Sequence, residues 1–518
     1  MARRNAPCRS RVAGKNRQAV SVQSKVVRTS EGLVRGVASK TGLVWRGIPF
    51  AKAPVGELRF RAPQRPDSWQ GVRASTRFGS VSVQRPSITL GGVPRSSVQS
   101  EDCLSMNIWT PPEAEQLPVM VWIHGGAYTQ GAGSLPEYDG ELLAAEGVVL
   151  VTFNYRLGAL GNFDFSTLTN EHHTFESNLA LRDQIAALEW VQENIAGFGG
   201  DPDNVTVFGE SAGGNSVTTL LAIPRSQGLF HAAIAQSSHA ASAHGAQQRA
   251  TMINKFARAV KLHRDDLPAW LMSAPATAII EAGLEVQGSV VRASPGVLAM
   301  CPTIDGDLIT EPPLTTLTEG RGHAVPIIIG STRDEANLFF ALREPIMPAT
   351  HDSLLQMLED IKQRGIDEIM EHYLQYGGFA WARLATDAVF RMPSLAIAEG
   401  HAQHGAWVYR FSAASPLLSA SKIGATHGAD VPFVFGTLDS PGGRLATTSM
   451  LRSVREGVSA TMRKLWTTFA REHSVVDAGW PEFSADHRLT LDITETLEVH
   501  DDPDRSDREI WDGLGVFD

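Results

Sequence analysis

Short apolar runs alternate with longer amphipathic stretches through the middle of the chain. The runs have the length of buried strands, and they cover residues 119–123, 148–153, 205–208, 231–236 and 325–329. Between two of these runs, apolar residues recur at helical spacing, which predicts a helix over 181–195. Strands that alternate with helices in this way predict an α/β protein with a large, mostly parallel central sheet and helices on both faces.

Glycine-rich turns follow two of these predicted strands. One is His124-Gly-Gly-Ala127, and the other holds Ser211 in a Gly-x-Ser-x-Gly pattern directly after the run 205–208. The second pattern is typical of a nucleophile elbow, a sharp strand-to-helix turn that presents a serine Oγ atom at the edge of a sheet. The helix predicted after Ser211 ends before Pro224. Parallel sheets bind ligands beyond the carboxyl ends of their strands, which is where both turns lie.

A serine hydroxyl that acts as a nucleophile needs a base, an acid that orients the base, and donors for the developing oxyanion. The turn at Gly125, Gly126 and Ala127 has little side chain to shield its backbone N–H groups. These groups and the N–H of Ala212, the residue after the serine, are predicted to form an oxyanion hole.

The acid and the base are expected downstream, because α/β-hydrolases carry the order serine, acid, histidine. The run 325–329 leads into Asp334 and Glu335, and either carboxylate suits the role while the other caps the next helix. The pattern leaves both open. Among the 16 histidines, His427 is the candidate base, since the small residues of the segment 424–430 leave it room to reach into a site.

Composition narrows the class of function. The chain has 518 residues and a formal net charge of −10, which gives no reason to expect nucleic acid or an anionic membrane surface as a partner. No apolar stretch approaches the ~20 residues that a membrane helix needs. Cys8, Cys103 and Cys301 form neither a disulfide framework nor a metal-site pattern, so no metal is expected.

The N-terminal segment differs from the rest of the chain. Residues 1–25 carry basic but no acidic side chains, and they lack the apolar core of a secretory signal. They are predicted to be a disordered basic tail. Residues 26–518 show no linker or internal repeat and are predicted to form a single domain. The expected location is the cytoplasm.

Several longer motifs together resemble one family, the type B carboxylesterases, which include the cholinesterases and have the α/β-hydrolase fold. In the order of the family, the motifs lie at 46–51, 100–104, 107–111, 154–158, 198–202, 208–214 and 427–436. The resemblance covers 31–483 and is strongest to bacterial para-nitrobenzyl esterases. It implies a serine carboxylesterase that needs no cofactor and whose partner is a small-molecule ester.

The resemblance also implies a role for individual residues. The catalytic triad that it implies consists of the nucleophile, the acid and the base at Ser211, Glu335 and His427. The oxyanion donors that it implies are the backbone N–H groups of Gly126, Ala127 and Ala212. Further positions that relatives place near the triad are Gly125, Glu210 and Ser237. The implied reaction proceeds through an acyl-enzyme on the serine, which water then hydrolyses.

The sequence departs from the family in two informative places. Ser82 occupies the position at which relatives carry the disulfide partner of Cys103, so this bond is expected to be absent. No tryptophan occurs between Trp69 and Trp109, the stretch in which cholinesterases carry a tryptophan whose ring binds quaternary ammonium. Choline esters are therefore not the expected substrates.

Other functions compete with simple ester hydrolysis. The same triad serves an amidase, a carbamate hydrolase or a specialised detoxifying esterase, and the sequence does not rank them. A catalytically silent adhesion or binding protein has the same fold. The presence of Ser211, Glu335 and His427 favours an enzyme over that silent protein.

The substrate pocket is expected beside Ser211. Its predicted walls are the segment 85–100, which is rich in Ser, Gly and Pro, and the aromatic residues Phe339, Phe340 and Phe433. Loops on a rigid scaffold are where binding residues concentrate.

Overall fold

The computed structural model describes residues 24–87, 91–342, 346–348, 350–360 and 365–512. The predicted basic tail lies outside the described residues up to residue 23. That residues 26–518 form a single domain stays a prediction.

Strands of the described residues form a small sheet of 3 strands and a large sheet of 11 strands. In chain order the strands are β1 (Val26–Arg28), β2 (Leu33–Arg35), β3 (Val37–Ala38), β4 (Leu43–Pro49), β5 (Val72–Ala74), β6 (Ser105–Thr110), β7 (Leu117–Ile123), β8 (Val149–Phe153), β9 (Gly200–Glu210), β10 (Ala232–Gln236), β11 (Ile327–Thr332), β12 (Ala406–Phe411), β13 (Leu489–Ile493) and β14 (Leu497–Asp501). The order across the large sheet is β14-β13-β12-β11-β10-β9-β7-β8-β6-β4-β3.

The centre of the large sheet is parallel. Every neighbouring pair from β13 across to β8 is parallel, whereas β14 and the strands beyond β8 pair antiparallel. The predicted mostly parallel sheet is confirmed, and each predicted apolar run overlaps one of its strands. Strand β9 is longer than predicted and begins at Gly200.

Helices connect and cover the strands. They are α1 (Glu141–Ala145), α2 (Gly158–Gly161), α3 (Leu179–Asn194), α4 (Ala212–Ala222), α5 (Ala246–Ala259), α6 (Leu267–Ser273), α7 (Ala276–Ala293), α8 (Pro313–Thr318), α9 (Asn337–Leu342), α10 (His351–Asp360), α11 (Ile366–Tyr373), α12 (Ala380–Thr386), α13 (Met392–His401), α14 (Pro416–Ala420), α15 (Val431–Phe435), α16 (Pro441–Ala446), α17 (Arg452–Glu472) and α18 (Arg505–Asp512). A π-helical turn, Asp387–Arg391, joins α12 to α13. The helix predicted over 181–195 is α3, and the helix predicted after Ser211 is α4.

Side chains of the central strands alternate between two apolar layers. Val119, Val121 and Ile123 of β7 pack in one layer with residues of α3 and α4. Met120 and Trp122 point to the opposite face and pack in the other layer with residues of α17. Alternation with period two is what a strand buried on both faces requires. The prediction of helices on both faces is therefore confirmed.

Four strands end side by side at one edge of the large sheet. The register sets Ile123 of β7 opposite Gly209 of β9. It also sets Gln236 of β10 opposite Glu210 and opposite Gly330 of β11. The turns that follow β7, β9, β10 and β11 therefore meet at this edge, where the predicted site residues lie.

Candidate active site

Ser211 lies at a sharp turn between β9 and α4. The strand ends at Glu210 and the helix begins at Ala212, so Ser211 alone makes the turn. It has φ +58° and ψ −123°, a conformation that costs on the order of 1–3 kcal/mol for a residue with a side chain. Its N–H group donates to Gln236 O at 3.0 Å, which ties the turn to β10. The strand, turn and helix expected of a nucleophile elbow are all present.

The glycines on either side of Ser211 have no room for a side chain. A Cβ atom on Gly213 would lie 2.0 Å from Ile123 O, and a Cβ atom on Gly209 would lie 2.6 Å from the backbone of Gly213. Both separations are far below van der Waals contact. Helix α4 therefore packs this closely against β7 and β9 only because these positions are glycine.

His427 lies between Ser211 and Glu335, in the segment that joins α14 to α15. The Ser211 hydroxyl donates to Nε2 at 2.9 Å, and Nδ1–H donates to Glu335 Oε2 at 2.6 Å. This line of bonds requires the imidazole tautomer with its proton on Nδ1. The imidazole is 14% exposed and the Glu335 carboxylate is fully buried. The three residues that the sequence motifs single out are thus in direct contact.

Glu335 is held in place by two further donors. Ser237 Oγ donates to its Oε1 atom at 2.5 Å, and the Thr332 N–H group donates to the same atom at 2.7 Å. With His427 on Oε2, both carboxylate oxygens are hydrogen-bonded, which offsets the cost of burying them. Ser237 is therefore in contact with the acid, as the resemblance implies.

Asp334, the alternative acid, makes different contacts. Its carboxylate accepts from the Ala425 N–H group at 2.9 Å and pairs with Arg333 at 2.9 Å. Its own N–H group donates to Ala425 O at 2.9 Å. Asp334 therefore stabilises the segment that carries His427. Glu335, and not Asp334, is hydrogen-bonded to the imidazole.

A second carboxylate faces the other imidazole nitrogen. Glu210 Oε1 lies 3.3 Å from His427 Nε2. Burial raises the pKa of Glu210, although positive charge on His427 opposes the rise, and Asp430 and Glu335 add to it. Burial alone would lower the pKa of His427, but the charges of Glu210 and Glu335 outweigh burial and raise it. The two carboxylates thus stabilise the imidazolium ion that would form if His427 took the serine proton.

The turn after β7 presents backbone donors beside the elbow. Gly126 has φ +113° and Ala127 has φ +51°, so both residues of the turn have left-handed backbone conformations. Among the residues that the structure describes, no acceptor pairs with the N–H groups of Gly126, Ala127 and Ala212. A Cβ atom on Gly125 would lie 3.0 Å from Ser211 Cβ, so glycine lets the turn approach the serine. The predicted oxyanion donors are therefore unpaired and adjacent to the elbow.

A buried network supports the segment that carries His427, and the sequence reasoning missed it. The Gln236 amide donates to Asp430 Oδ2 at 2.8 Å, and the Tyr409 hydroxyl donates to the same atom at 2.9 Å. Trp466 Nε1–H donates to Gln236 Oε1 at 3.2 Å. Burial raises the pKa of Asp430. The signal that points to Asp430 is its place in the motif 427–436.

Two aromatic rings pack beside the imidazole. The ring centroids of Phe339 and Phe390 lie 5.4 and 5.0 Å from that of His427. Phe339 was predicted to line the pocket, and it lies beside the base. Phe390 was missed, because it belongs to the π-helical turn Asp387–Arg391, which carries no motif.

The segment around Phe433 was predicted to line the pocket, but the ring of Phe433 itself lies in the core. Its side chain is fully buried, and its ring centroid lies 5.2 Å from that of Phe411 in the core. Helix α15 turns this ring toward the layer shared with α17. Residues 88–90 of the segment 85–100 lie outside the described residues, and its part in the pocket stays a prediction, as does that of Phe340.

An apolar cluster adjoins the elbow on the side of α4. Tyr128, Leu298 and Cys301 pack around Ala212, the residue directly after the serine, with Ile346 partly buried at the margin. The residues around Ala212 are buried, so the cluster fixes the start of α4 beside Ser211.

Neither a metal-binding cluster nor a membrane-spanning helix is found among the described residues. Within the described ranges, no group of 3 or more His, Cys, Asp and Glu side chains could hold a metal ion. No helix in those same ranges has the length and apolar character needed to cross a bilayer. The expected cytoplasmic location and the absence of a nucleic-acid partner stay predictions.

Known proteins resemble this chain along almost its whole length. A family model, described as the carboxylesterase family, matches residues 23–511. The para-nitrobenzyl esterase of Bacillus subtilis (strain 168) is 36% identical over 94% of this chain and 98% of its own. A carboxylesterase of Geobacillus stearothermophilus superposes with a TM-score of 0.81, at 35% identity over 94% of this chain and 99% of its own. A thermophilic para-nitrobenzyl esterase reaches a TM-score of 0.84 at 34% identity, with the same coverage.

These likenesses confirm the family and the α/β-hydrolase fold that the motifs implied. The sequence match and the structural match each extend over 94% of the chain, so they concern the whole fold and not one motif. The relatives act on carboxylic esters, as their names state. The chain therefore belongs to the carboxylesterase family and is a carboxylic ester hydrolase.

Proposed function

We propose that Ser211 is the nucleophile of this ester hydrolase, His427 its general base and Glu335 the acid that orients the base. The observation that carries the proposal is the line of hydrogen bonds from Ser211 Oγ through His427 to Glu335, at 2.9 and 2.6 Å. Distances of this size suit proton transfer between a nucleophile and its base.

In the acylation half of the reaction, Ser211 Oγ attacks the ester carbonyl carbon while its proton passes to His427 Nε2. The carbonyl oxygen becomes negative and accepts the N–H groups of Gly126, Ala127 and Ala212, which have no acceptor among the described residues. The C–O bond to the alcohol then breaks, and His427 gives its proton to the departing alkoxide. The acyl group remains on the serine.

In the deacylation half, a water molecule attacks the acyl-enzyme. His427 takes a proton from this water and returns it to Ser211 Oγ as the acid leaves. Glu335 keeps the imidazole in the required tautomer and stabilises the imidazolium ion in both halves. Glu210, at 3.3 Å from Nε2, adds to that stabilisation, and Ser237 holds Glu335 in place.

The surroundings of the triad favour uncharged esters. Glu210, Glu335 and Asp430 are buried carboxylates near the base, and they oppose entry of an anionic substrate. The half-buried ring of Phe339, 5.4 Å from the imidazole, provides an apolar surface for hydrocarbon groups.

The test replaces Ser211 with alanine and measures the turnover of a short-chain 4-nitrophenyl ester. We expect kcat to fall by about 10⁶-fold, as for other serine hydrolases that lose the nucleophile. The control is Ser419→Ala, an exposed serine of α14, which should leave kcat unchanged. Turnover that survives in Ser211→Ala would overturn the proposed role.

The bond that the enzyme prefers is tested with matched esters, amides and carbamates. We expect the largest kcat/KM for esters, because an alkoxide leaves more readily than an amine. Larger values for amides or carbamates would overturn the ester preference while leaving the roles of Ser211, His427 and Glu335 intact.

A further inference from the structure

A second histidine lies close to the proposed triad. His239 follows β10 by three residues, and the same segment begins with Ser237, which donates to Glu335 at 2.5 Å. The Ser211 N–H group donates to Gln236 O, the last residue of β10. The segment that holds His239 thus leaves the sheet directly beside the elbow.

The ring of Phe390 is close to both histidines. Its centroid lies 5.0 Å from that of His427 and 6.1 Å from that of His239. The two imidazoles therefore lie near the same aromatic ring.

One nitrogen of His239 is bonded and the other is open. Ser242 Oγ is hydrogen-bonded to Nδ1. Nε2 has no hydrogen-bond partner among the described residues. It is also not one of their buried polar atoms that lack a partner, so it remains accessible. The accessible Nε2 atom is therefore free to bind a group of the substrate.

His239 is an uncharged group at neutral pH. Desolvation lowers its pKa to about 4, and positive charge on His427 lowers it in the same direction. The side chain nevertheless remains partly exposed. His239 can therefore meet a substrate without carrying a charge.

We propose that His239 is a specificity-determining residue whose Nε2–H group donates a hydrogen bond to an uncharged oxygen of the substrate near the scissile ester. The inference rests on the proposed function of Ser211. Ser242 Oγ has no other hydrogen-bond partner among the described residues, so we assign its hydroxyl as the donor to Nδ1, which places the ring proton on Nε2. The favoured class is then esters that carry an ether, carbonyl or hydroxyl oxygen within a few bonds of the ester group. The carboxylates around His427 disfavour an anionic oxygen in the same position.

The test uses pairs of esters that differ only by an oxygen in place of a methylene group. The first pair, 4-nitrophenyl methoxyacetate and 4-nitrophenyl butanoate, changes the acyl side. The second pair, 2-methoxyethyl acetate and butyl acetate, changes the alcohol side. The ratio of kcat/KM within a pair, compared between enzyme forms, cancels the intrinsic reactivity of the substrates.

His239→Phe keeps a ring of similar size and removes both nitrogens. We expect the ether-to-methylene ratio to fall about fivefold in one of the two pairs, while kcat/KM for the all-carbon ester changes less than about twofold. His239→Gln, which retains an N–H donor, should recover part of the ratio, and His239→Leu, which lacks a donor, replaces the Phe variant if that variant does not fold. Ser242→Ala should give a smaller fall, because it loosens the ring without removing it.

Two outcomes would overturn the inference. One is an unchanged ratio in both pairs for the variant that lacks the donor. The other is an equal loss for both members of each pair, which would mean that His239 only positions Phe390 and His427. Failure of the proposed function gives a different result. Only in that case does Ser211→Ala still hydrolyse the four esters.

Discussion

At the scale of single residues, the imidazole of His427 stands between two carboxylates that face different nitrogens. Glu335 accepts the Nδ1–H bond at 2.6 Å, whereas Glu210 lies 3.3 Å from Nε2. Both charges favour the protonated ring, so both lower the free energy of the state in which His427 has taken the serine proton. Only Glu335 also selects the tautomer, so the two carboxylates are expected to respond differently to substitution.

Glu335→Gln should cost far more activity than the matched change at its neighbour. Loss of the acceptor at Nδ1 allows the wrong tautomer, and we expect kcat to fall by about 10⁴-fold. In Asp334→Asn, kcat should fall by less than about tenfold, because Asp334 contacts the backbone of Ala425 and not the imidazole. Steady-state kinetics with a 4-nitrophenyl ester measures both. An equal loss in the two variants would contradict the assignment of the acid.

Glu210→Gln should change the pH profile. Hydrolysis needs the neutral imidazole, so kcat/KM rises with pH as His427 loses its proton. Since Glu210 raises the pKa of His427, the substitution lowers that pKa, and the acidic limb of kcat/KM moves to lower pH. Glu498→Gln, on the edge strand β14, is the control and should leave the limb in place. A shift to higher pH would contradict the account.

At the scale of elements, local patterns predicted the parts of the site that backbone packing dictates. The elbow and the turn after β7 were predictable because glycine is required where strand, helix and turn approach most closely, as at Gly213 and Gly125. The choice between Asp334 and Glu335 was not predictable from spacing, because both follow β11 and only their contacts distinguish them.

Aromatic side chains of the site were predicted less well, for reasons that lie in the tertiary structure. Phe390 is brought to His427 by the π-helical turn between α12 and α13, and no local pattern indicates that turn. Phe433 is close to His427 in sequence, but α15 turns its ring into the core against Phe411. Nearness along the chain did not mean nearness in the pocket.

Buried ion pairs anchor the segment that carries Phe390. Arg383 of α12 pairs with Asp507 of α18 at 2.9 Å, and Arg391 pairs with Asp504 at 2.9 Å. Arg383 precedes the π-helical turn by one turn of helix, and Arg391 is the last residue of the π-helical turn. Asp504 and helix α18 thus stabilise the position of the turn that carries Phe390.

Asp507→Asn should destabilise the protein. Burial alone would raise the pKa of Asp507, but hydrogen bonds from Tyr376 and His372 and the charge of Arg383 outweigh burial and lower it. Removing the charge leaves a buried arginine without its full partner, and we expect a loss of about 3 kcal/mol in the free energy of unfolding. Thermal and urea unfolding measure the change.

The pH dependence of this loss has a defined sign. Because the pKa of Asp507 is lowered in the folded chain, its contribution is complete above the unfolded pKa and is lost as pH falls through the folded pKa. Wild type and variant should therefore converge in acid. Glu456→Gln breaks the exposed pair with Arg452 and should change stability by less than about 0.5 kcal/mol. Equal effects of the two substitutions would contradict the role of α18.

At the scale of the whole molecule, both thiols that the structure describes are enclosed, Cys103 in the layer that includes α3 and α4 and Cys301 in the apolar cluster around Ala212. Cys103 and Cys301 are buried and free, as the serine at position 82 predicted for Cys103. Burial raises the pKa of Cys103 to about 12 and raises that of Cys301 as well. A thiol that is both protonated and enclosed reacts slowly with alkylating agents.

Native protein treated with iodoacetamide at neutral pH should therefore keep Cys103 and Cys301 unmodified. Both should react in guanidinium chloride, where the core is open. Mass spectrometry of the peptides measures each site separately. Alkylation of either thiol in the native protein at the rate of an exposed cysteine would contradict the closed core.

Covalent labelling with a fluorophosphonate tests the central claim most directly, since the reagent reacts only with a serine that is activated by its base. Peptide mass spectrometry after stoichiometric inhibition should find one phosphonyl adduct, on Ser211, and none in Ser211→Ala. An adduct on another serine that accompanies the loss of activity, or full activity without any adduct, would contradict the account.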